Sequence, residues 1–167
     1  MKLYGEPKKK TAVCIAAGGM ALVLLFCVQI RRDKERIREA DVSDLTEEAT
    51  LVFVIDEVTP GEYIRVEGYT YVAGESIHTV DQRVLLYDAQ ENRYYEIPTQ
   101  LKAREELNQT DEDKKNYSGG GFLAKVKTAA LKKDCSEYEI CVAYRSDGHR
   151  MLAHSNRMLD GREAGEL

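Results

Sequence analysis

The chain has 167 residues, of which 43% are hydrophobic and 32% charged, so it has room for one domain of about 100–150 residues plus an accessory segment. Its formal net charge is −5, yet residues 33–167 alone hold 28 acidic and 18 basic residues, a formal charge of −10. An acidic domain of this kind repels nucleic acid and anionic lipid headgroups, which excludes nucleic-acid binding and favours neutral or basic partners.

The first predicted element is a membrane-spanning helix over residues 11–30, which follows a basic N-terminal tail over residues 1–10. The segment reads TAVCIAAGGMALVLLFCVQI and has no charged side chain. At about 1.5 Å rise per residue, a helix of this length spans the roughly 30 Å hydrocarbon core of a bilayer. A cleaved signal peptide is the alternative, but the run is long for one, and no small-x-small cleavage site follows it. We therefore predict an uncleaved anchor that contacts the lipid bilayer.

The flanks of this span bear on orientation, and its small residues bear on partners. Four lysines precede the span and five basic residues follow it, where acidic residues dilute them. This pattern favours a single-pass protein of the cell membrane with its C-terminal domain extracytoplasmic.

Within the span, Cys14 with Gly18 and Ala17 with Ala21 are small pairs at i,i+4, which let helices approach closely. They predict self-association or docking to a polytopic membrane protein.

Residues 31–50 are predicted to form a charged, partly helical juxtamembrane stalk. Their only large apolar side chains are Ile37, Val42 and Leu45. Straight-chain charged residues favour helix, although like charges recur at i,i+4 and no sustained heptad predicts a coiled coil.

From residue 51 the apolar pattern changes to a period of two, which is typical of strands that face a core on one side. Turn signals such as Pro60-Gly61 and Asp147-Gly148 separate the strands and favour a sandwich. Seven strands are predicted, over residues 51–58, 63–73, 83–89, 93–98, 121–131, 137–145 and 149–159. Short connections predict antiparallel pairing of the third strand with the fourth and of the sixth with the seventh. Residues 99–118 are expected to cross between sheets, and residues 161–167 to form a flexible tail after a domain over 51–160.

Several segments resemble the small immunoglobulin-like sandwich modules of Gram-positive bacterial envelope membrane proteins. They are VEGYTYVAGESI (66–77), VLLYDAQENRYYEIPT (84–99), Arg104 with Glu106 and Leu107, YSGGGFLAKVKTAAL (117–131) and EYEICVAYRSDG (137–148). The resemblance implies a mainly β fold with a roughly seven-stranded antiparallel immunoglobulin-like β-sandwich behind the single transmembrane helix. It also implies a place beside polysaccharide assembly or ligation machinery. Where that family pattern has Trp after the glycine of the second strand, this chain has Tyr69, so no shared ligand is inferred.

The sequence contains no motif that predicts catalysis, a metal site or a cofactor. His78, His149 and His154 are isolated, without HExxH or Cys and His at ligand spacing, and no G-x-S-x-G is present. Cys135 and Cys141 are too far apart along one extended segment for a disulfide, so free thiols are expected. The sequence thus predicts a non-enzymatic protein.

Tyrosine is the one enrichment, because nine of the ten tyrosines lie after residue 50. The candidate ligand or partner surface consists of Tyr63, Tyr69, Tyr71, Tyr94 and Tyr95. Tyrosine combines an apolar ring with a polar tip, which suits protein interfaces and sugar stacking alike, whereas core packing and β propensity are the alternative explanation. The sequence therefore predicts a membrane-anchored accessory or interaction domain. The alternative is a carbohydrate-binding module whose exposed tyrosines hold a cell-surface glycan.

Overall fold

The computed structural model describes residues 19–20, 22–26, 37–109, 115–146 and 148–163. The chain divides into two compact units, Met1–Glu35 and Arg36–Leu167. In the first unit, residues 19–20 and 22–26 are helical with exposed side chains. Within the described residues, no helix has both the length and the apolar character that crossing a bilayer requires. The predicted packing residues Cys14, Ala17, Gly18 and Ala21 lie outside the described residues, so their role stays a prediction.

The second unit is mainly β, with nine strands in two antiparallel sheets among the residues described. The strands are β1 Arg38–Ala40, β2 Leu51–Thr59, β3 Tyr63–Val72, β4 Asp81–Asp88, β5 Arg93–Glu96, β6 Thr99–Lys102, β7 Gly121–Lys127, β8 Tyr138–Ser146 and β9 His149–Met158. One sheet has the order β1-β5-β4-β8-β9, and the other has the order β2-β3-β7-β6. Single 3-10 turns cover Glu105–Gln109, Ser118–Gly120, Thr128–Ala130 and Cys135–Glu137.

All seven predicted strands are present, and the two predicted hairpins are confirmed, because β4 pairs with β5 and β8 with β9 in antiparallel register. The crossing after β5 is also present, since β5 belongs to the five-stranded sheet and β6 to the four-stranded one. Strand β6 itself is not among the predicted strands. Its residues Thr99–Lys102 are half-buried or exposed, so the edge strand has no apolar alternation to detect.

The predicted stalk over residues 31–50 differs from the structure where it is described. Arg38–Ala40 form β1, which pairs with β5 at the edge of the five-stranded sheet. The three apolar side chains of this segment explain the difference, because Ile37 packs against the main core while Val42 and Leu45 cover the outer face of the five-stranded sheet. Burying them favours docking onto the domain over a solvated helix.

The first residues of the predicted tail over 161–167 also pair with the domain. Gly161 adopts a φ of +89°, which reverses the chain after β9. Glu163 then forms an antiparallel bridge with Arg157, so the described part of this segment folds back beside β9.

The core lies between the two sheets and follows the strand alternation. The inward side chains of β3 include Ile64 and Val66, and those of β4 include Val84 and Leu86. Gly68 lies at the tightest point, where an added Cβ would meet the Val54 carbonyl and lie 2.7 Å from Phe122 Cζ. The β2 backbone and the Phe122 ring of β7, both in the same sheet as Gly68, can therefore approach β3 this closely only because this position has no side chain.

One buried polar group ties the two sheets together. Gln82 on β4 is 4% exposed and accepts a hydrogen bond from the Thr70 hydroxyl on β3. Its amide nitrogen donates to the carbonyls of Gly120 at 3.1 Å and Gly121 at 2.8 Å, where β7 begins. The Gln82 side chain thus satisfies three buried groups of the opposite sheet.

Candidate functional site

Three of the predicted tyrosines share the outer face of the four-stranded sheet. Strand β3 alternates between buried and more exposed positions, and Tyr63, Tyr69 and Tyr71 occupy the more exposed ones. Tyr63 is 39% exposed at the end of the strand, with Lys127 Nζ 5.6 Å from its ring centroid. This face therefore presents aromatic side chains to solvent.

Tyr69, Tyr71 and Tyr117 form a row of rings, called here the tyrosine ladder. The ring centroids of Tyr69 and Tyr71 lie 6.1 Å apart, and those of Tyr71 and Tyr117 lie 4.2 Å apart, both in stacked orientation. The Tyr117 hydroxyl accepts a hydrogen bond from the Gly74 amide at 2.9 Å, and the Arg104 guanidinium lies 5.4 Å from the Tyr69 ring centroid. Because each ring packs against a neighbour, the ladder is preorganised.

Charged side chains surround the ladder in compensated groups. Glu67 bonds Arg65 and Lys102, both at 2.7 Å, and the hydrogen bond from Lys102 is the main reason that its pKa is lowered. Arg104 bonds Asp56 at 2.6 Å and also Glu106. The face therefore combines aromatic rings, a residue type enriched at protein interfaces, with a polar surround of paired charges.

The other two predicted tyrosines lie elsewhere, so the five do not form one surface. Tyr94 lies on the outer face of the five-stranded sheet, stacked on Tyr87 with ring centroids 4.7 Å apart. Tyr95 points into the core, is 6% exposed, and donates its hydroxyl hydrogen to Glu91 at 3.0 Å. The structure thus separates Tyr95 from the other four tyrosines, and its contact with a ligand or partner stays a prediction. Adjacent residues of one strand must face opposite sides of the sheet.

Sequence analysis also missed a cluster on the outer face of the five-stranded sheet, consisting of Glu139, Cys141, His154 and Tyr94. His154 Nδ1 lies 3.3 Å from Cys141 Sγ and 2.9 Å from Glu139 Oε2, and His154 Nε2 lies 3.1 Å from the Tyr94 hydroxyl. His154, read from the sequence as isolated, is in fact next to a thiol and a carboxylate. The predicted β8–β9 hairpin was the signal in the sequence that could have revealed this contact, because its register sets Cys141 opposite His154.

Burial dominates the titration of this cluster. It raises the pKa of the Cys141 thiol, with the carboxylates of Glu139 and Glu47 adding to the effect. Burial likewise raises the pKa of Tyr94 to about 12. A fully buried thiol with a raised pKa is a poor nucleophile, so the arrangement does not favour cysteine catalysis.

Two cavities of the domain lie away from the tyrosine ladder. One of about 160 Å³ lies at the open edge of the sandwich, where its lining includes Ile37, Tyr95 and Lys132. The other is a shallow depression of about 430 Å³ beside Arg145 and His149. The first is smaller than the roughly 300–1,000 Å³ that small-molecule sites occupy.

No family model, curated protein or solved structure matches this chain.

Proposed function

We propose that the chain is a membrane-anchored, non-enzymatic interaction module with an immunoglobulin-like sandwich. The tyrosine-ladder face would bind a protein partner, and the sequence resemblance supports a partner that belongs to the cell-envelope polysaccharide machinery. The observation that carries the proposal is the preorganised row of Tyr69, Tyr71 and Tyr117 on the outer face of the four-stranded sheet, where the buried Tyr117, 4% exposed, holds the half-buried Tyr71.

The strand order supports the immunoglobulin-like part of the proposal. An immunoglobulin sandwich pairs strands A, B, E and D in one sheet and C, F and G in the other. Taking β2, β3, β7 and β6 as A, B, E and D, the remaining order β5-β4-β8-β9 corresponds to C′, C, F and G. Strand β1 is an addition beyond C′.

The apolar N-terminal segment supports the membrane anchor. Residues 22–26 are helical, and their side chains, from Leu22 to Phe26, are each 60–70% exposed. These five residues cover more than one helical turn, so the exposed apolar surface faces every direction, as on a helix surrounded by lipid.

The ring contacts favour a protein partner over the alternative, a glycan. Sugar stacking needs an open aromatic face, but Tyr71 already packs on Tyr117 at 4.2 Å and the Tyr69 ring is close to Arg104. Tyr69 and Tyr71 are half-buried, and partly exposed tyrosine rings with polar tips suit a flat protein interface. Among the described tyrosines of this face, Tyr63 at the start of β3 is the most exposed, at 39%, and its ring is where a sugar would stack.

Site-specific photo-crosslinking tests the partner surface in whole cells. A benzoylphenylalanine placed at Tyr71 should yield a discrete crosslinked protein, whereas the same probe at Ala89, in the exposed β4–β5 turn, should not. Equal crosslinking at both positions would contradict the proposal. A glycan array in which binding depends on Tyr63 and not on Tyr71 would favour the carbohydrate-binding alternative instead.

Cysteine labelling tests the extracytoplasmic location. A single cysteine at Ala89 is suitable, because this turn position is exposed. Asn92 in the same turn is less suitable, because its φ of 52° is a conformation that cysteine tolerates poorly. In a chain whose native cysteines are replaced, a membrane-impermeant maleimide should label this position in intact cells. Labelling only after lysis would place the domain in the cytoplasm and end the envelope interpretation.

A further inference from the structure

We propose that Glu139, Cys141 and His154 form a binding site for one divalent transition metal ion, of which Zn²⁺ is the best fit. The site is independent of the tyrosine ladder, since it lies on the outer face of the opposite sheet. Within the described residues, the ligand atoms of these three side chains all lie within 4.8 Å of one another.

The β8–β9 hairpin holds the three side chains on a rigid platform. Glu139 and Cys141 are two residues apart on β8 and therefore face the same side, and His154 on β9 lies directly opposite Cys141. Strand β8 is internal to the sheet between β4 and β9, whereas β9 is the edge strand, and the β8–β9 register shifts between Glu139 and Cys141. Sites built on strands hold their ligands more precisely than sites on loops.

The distances fit a tetrahedral ion with little movement. Zn²⁺ binds thiolate at about 2.3 Å and imidazole or carboxylate at about 2.0–2.2 Å, which separates neighbouring ligand atoms by about 3.4–3.6 Å. The separations are 3.3 Å between Cys141 Sγ and His154 Nδ1, and 2.9 Å between His154 Nδ1 and Glu139 Oε2. These two pairs need to spread by roughly half an ångström or less to accept the ion, and the third pair, Cys141 Sγ and the Glu139 carboxylate, lies within 4.8 Å.

The surroundings of His154 resemble those of metal-binding histidines. Such residues usually donate their second ring N–H to a fixed acceptor, which orients the ring and sets its tautomer. His154 Nε2 is 3.1 Å from the hydroxyl of Tyr94, which is itself stacked on Tyr87. With the proton on Nε2, the lone pair of Nδ1 points between the thiol and the carboxylate.

The cluster combines a dry interior with an opening to solvent. Cys141 packs among apolar side chains, including Leu85, Leu152 and Val42. The side chains of His154 and Glu139 keep 25% and 16% exposure, which gives an ion an entry path. Three protein ligands leave a fourth position for water, as in open zinc sites, and a soft thiolate with imidazole favours Zn²⁺ over Mg²⁺ or Ca²⁺.

Metal binding must displace the Cys141 proton. The neutral thiol gives up H⁺ to solvent as the metal–sulfur bond forms, so one proton is released from it per ion bound and affinity rises with pH. A hydrogen-bonded cluster without metal affinity is the competing explanation of the same distances. The two differ in whether sulfur ligates an added ion.

Cobalt titration of the full-length chain in detergent micelles separates them. Co²⁺ should produce a near-ultraviolet sulfur-to-cobalt charge-transfer band at one ion per chain, and Zn²⁺ should abolish it. Cys141→Ser should remove the band, and Glu139→Gln should weaken Co²⁺ binding at least tenfold. The matched control is Cys135→Ser, which replaces the half-buried free thiol six residues away and should leave the band unchanged.

Thermal unfolding is a second test, in which each variant's melting temperature is compared with and without Zn²⁺, so that a slight destabilisation by the substitution itself does not affect the result. Zn²⁺ at about a hundred times its dissociation constant should raise the melting temperature of the wild type and of Cys135→Ser by about 5–10 °C. It should not raise that of Cys141→Ser. Absence of the charge-transfer band in the wild type, or its persistence in Cys141→Ser, would overturn the proposal.

Discussion

Replacing Gln82 with leucine should lower the free energy of unfolding by about 3 kcal/mol. The side chain makes three buried hydrogen bonds, to the Thr70 hydroxyl and to the carbonyls of Gly120 and Gly121. A net hydrogen bond contributes about 1 kcal/mol, and leucine leaves all three partners unsatisfied without opening a large cavity. The loss of stability thus comes from three buried polar groups left without a hydrogen bond and not from a cavity in the core.

Urea unfolding followed by far-ultraviolet circular dichroism measures this loss, since the chain has no tryptophan. The matched control is Gln100→Leu, the same substitution at an exposed position of β6, which should change the free energy by less than about 0.5 kcal/mol. In a double-mutant cycle, Thr70→Val and Gln82→Leu should couple by about 1 kcal/mol because they share one hydrogen bond. Equal effects of Gln82→Leu and Gln100→Leu would refute the reasoning.

Three further predictions concern packing and titration. Gly68→Ala should lower the free energy of unfolding in urea melts by about 1–3 kcal/mol, because the added Cβ collides with backbone. The control is Gly61→Ala, where the nearest atom to the added Cβ is 3.5 Å away, and it should cost less than about 0.5 kcal/mol. Burial alone would raise the pKa of Asp88. The hydrogen bond from Lys133 at 2.5 Å and those from two backbone amides have the larger opposite effect, so the pKa is lowered. Its stabilising contribution is therefore present above the unfolded pKa of about 3.9 and lost as pH falls through the lower folded value, so Asp88→Asn should flatten the acid limb of the stability curve. Burial raises the pKa of Tyr94 to about 12, so stability should fall as pH rises from about 10 towards 12, and Tyr94→Phe should reduce that fall in alkaline thermal melts. An unchanged pH dependence in either variant would contradict the corresponding assignment.

The strands that sequence analysis predicted are those with a buried face. Strand β3 shows the reason, because Ile64 and Val66 alternate with Arg65 and Glu67 and the period of two is visible directly. Strand β1 carries Arg38 and Glu39 and is held by its pairing with β5, which is a property of the partner strand. A short edge strand without an apolar face leaves no periodic signal.

The candidate sites were less predictable, because each depends on contacts between residues distant in sequence. The ladder needs Tyr117, which reaches Tyr71 from the turn before β7, 46 positions along the chain, and only the fold brings the two rings together. Cys141 and His154 are separated by 13 residues and meet because the β8–β9 hairpin sets them in register. Spacing rules for metal motifs assume local ligands, and so they cannot detect a cross-strand set.

The two outer faces of the sandwich differ in how much of each is already covered. On the five-stranded sheet, Val42 and Leu45 pack over Leu85 and Leu152, so part of the apolar surface is buried by the chain itself. On the four-stranded sheet, Tyr117 from the turn before β7 packs on Tyr71, while Tyr69 and Tyr71 stay half-buried and the aromatic rings are fixed by one another. Fixed rings lose little conformational entropy when a partner docks, which lowers the cost of association. An interaction module of this architecture should therefore bind through the four-stranded face, while the opposite face serves stability and the proposed metal ion.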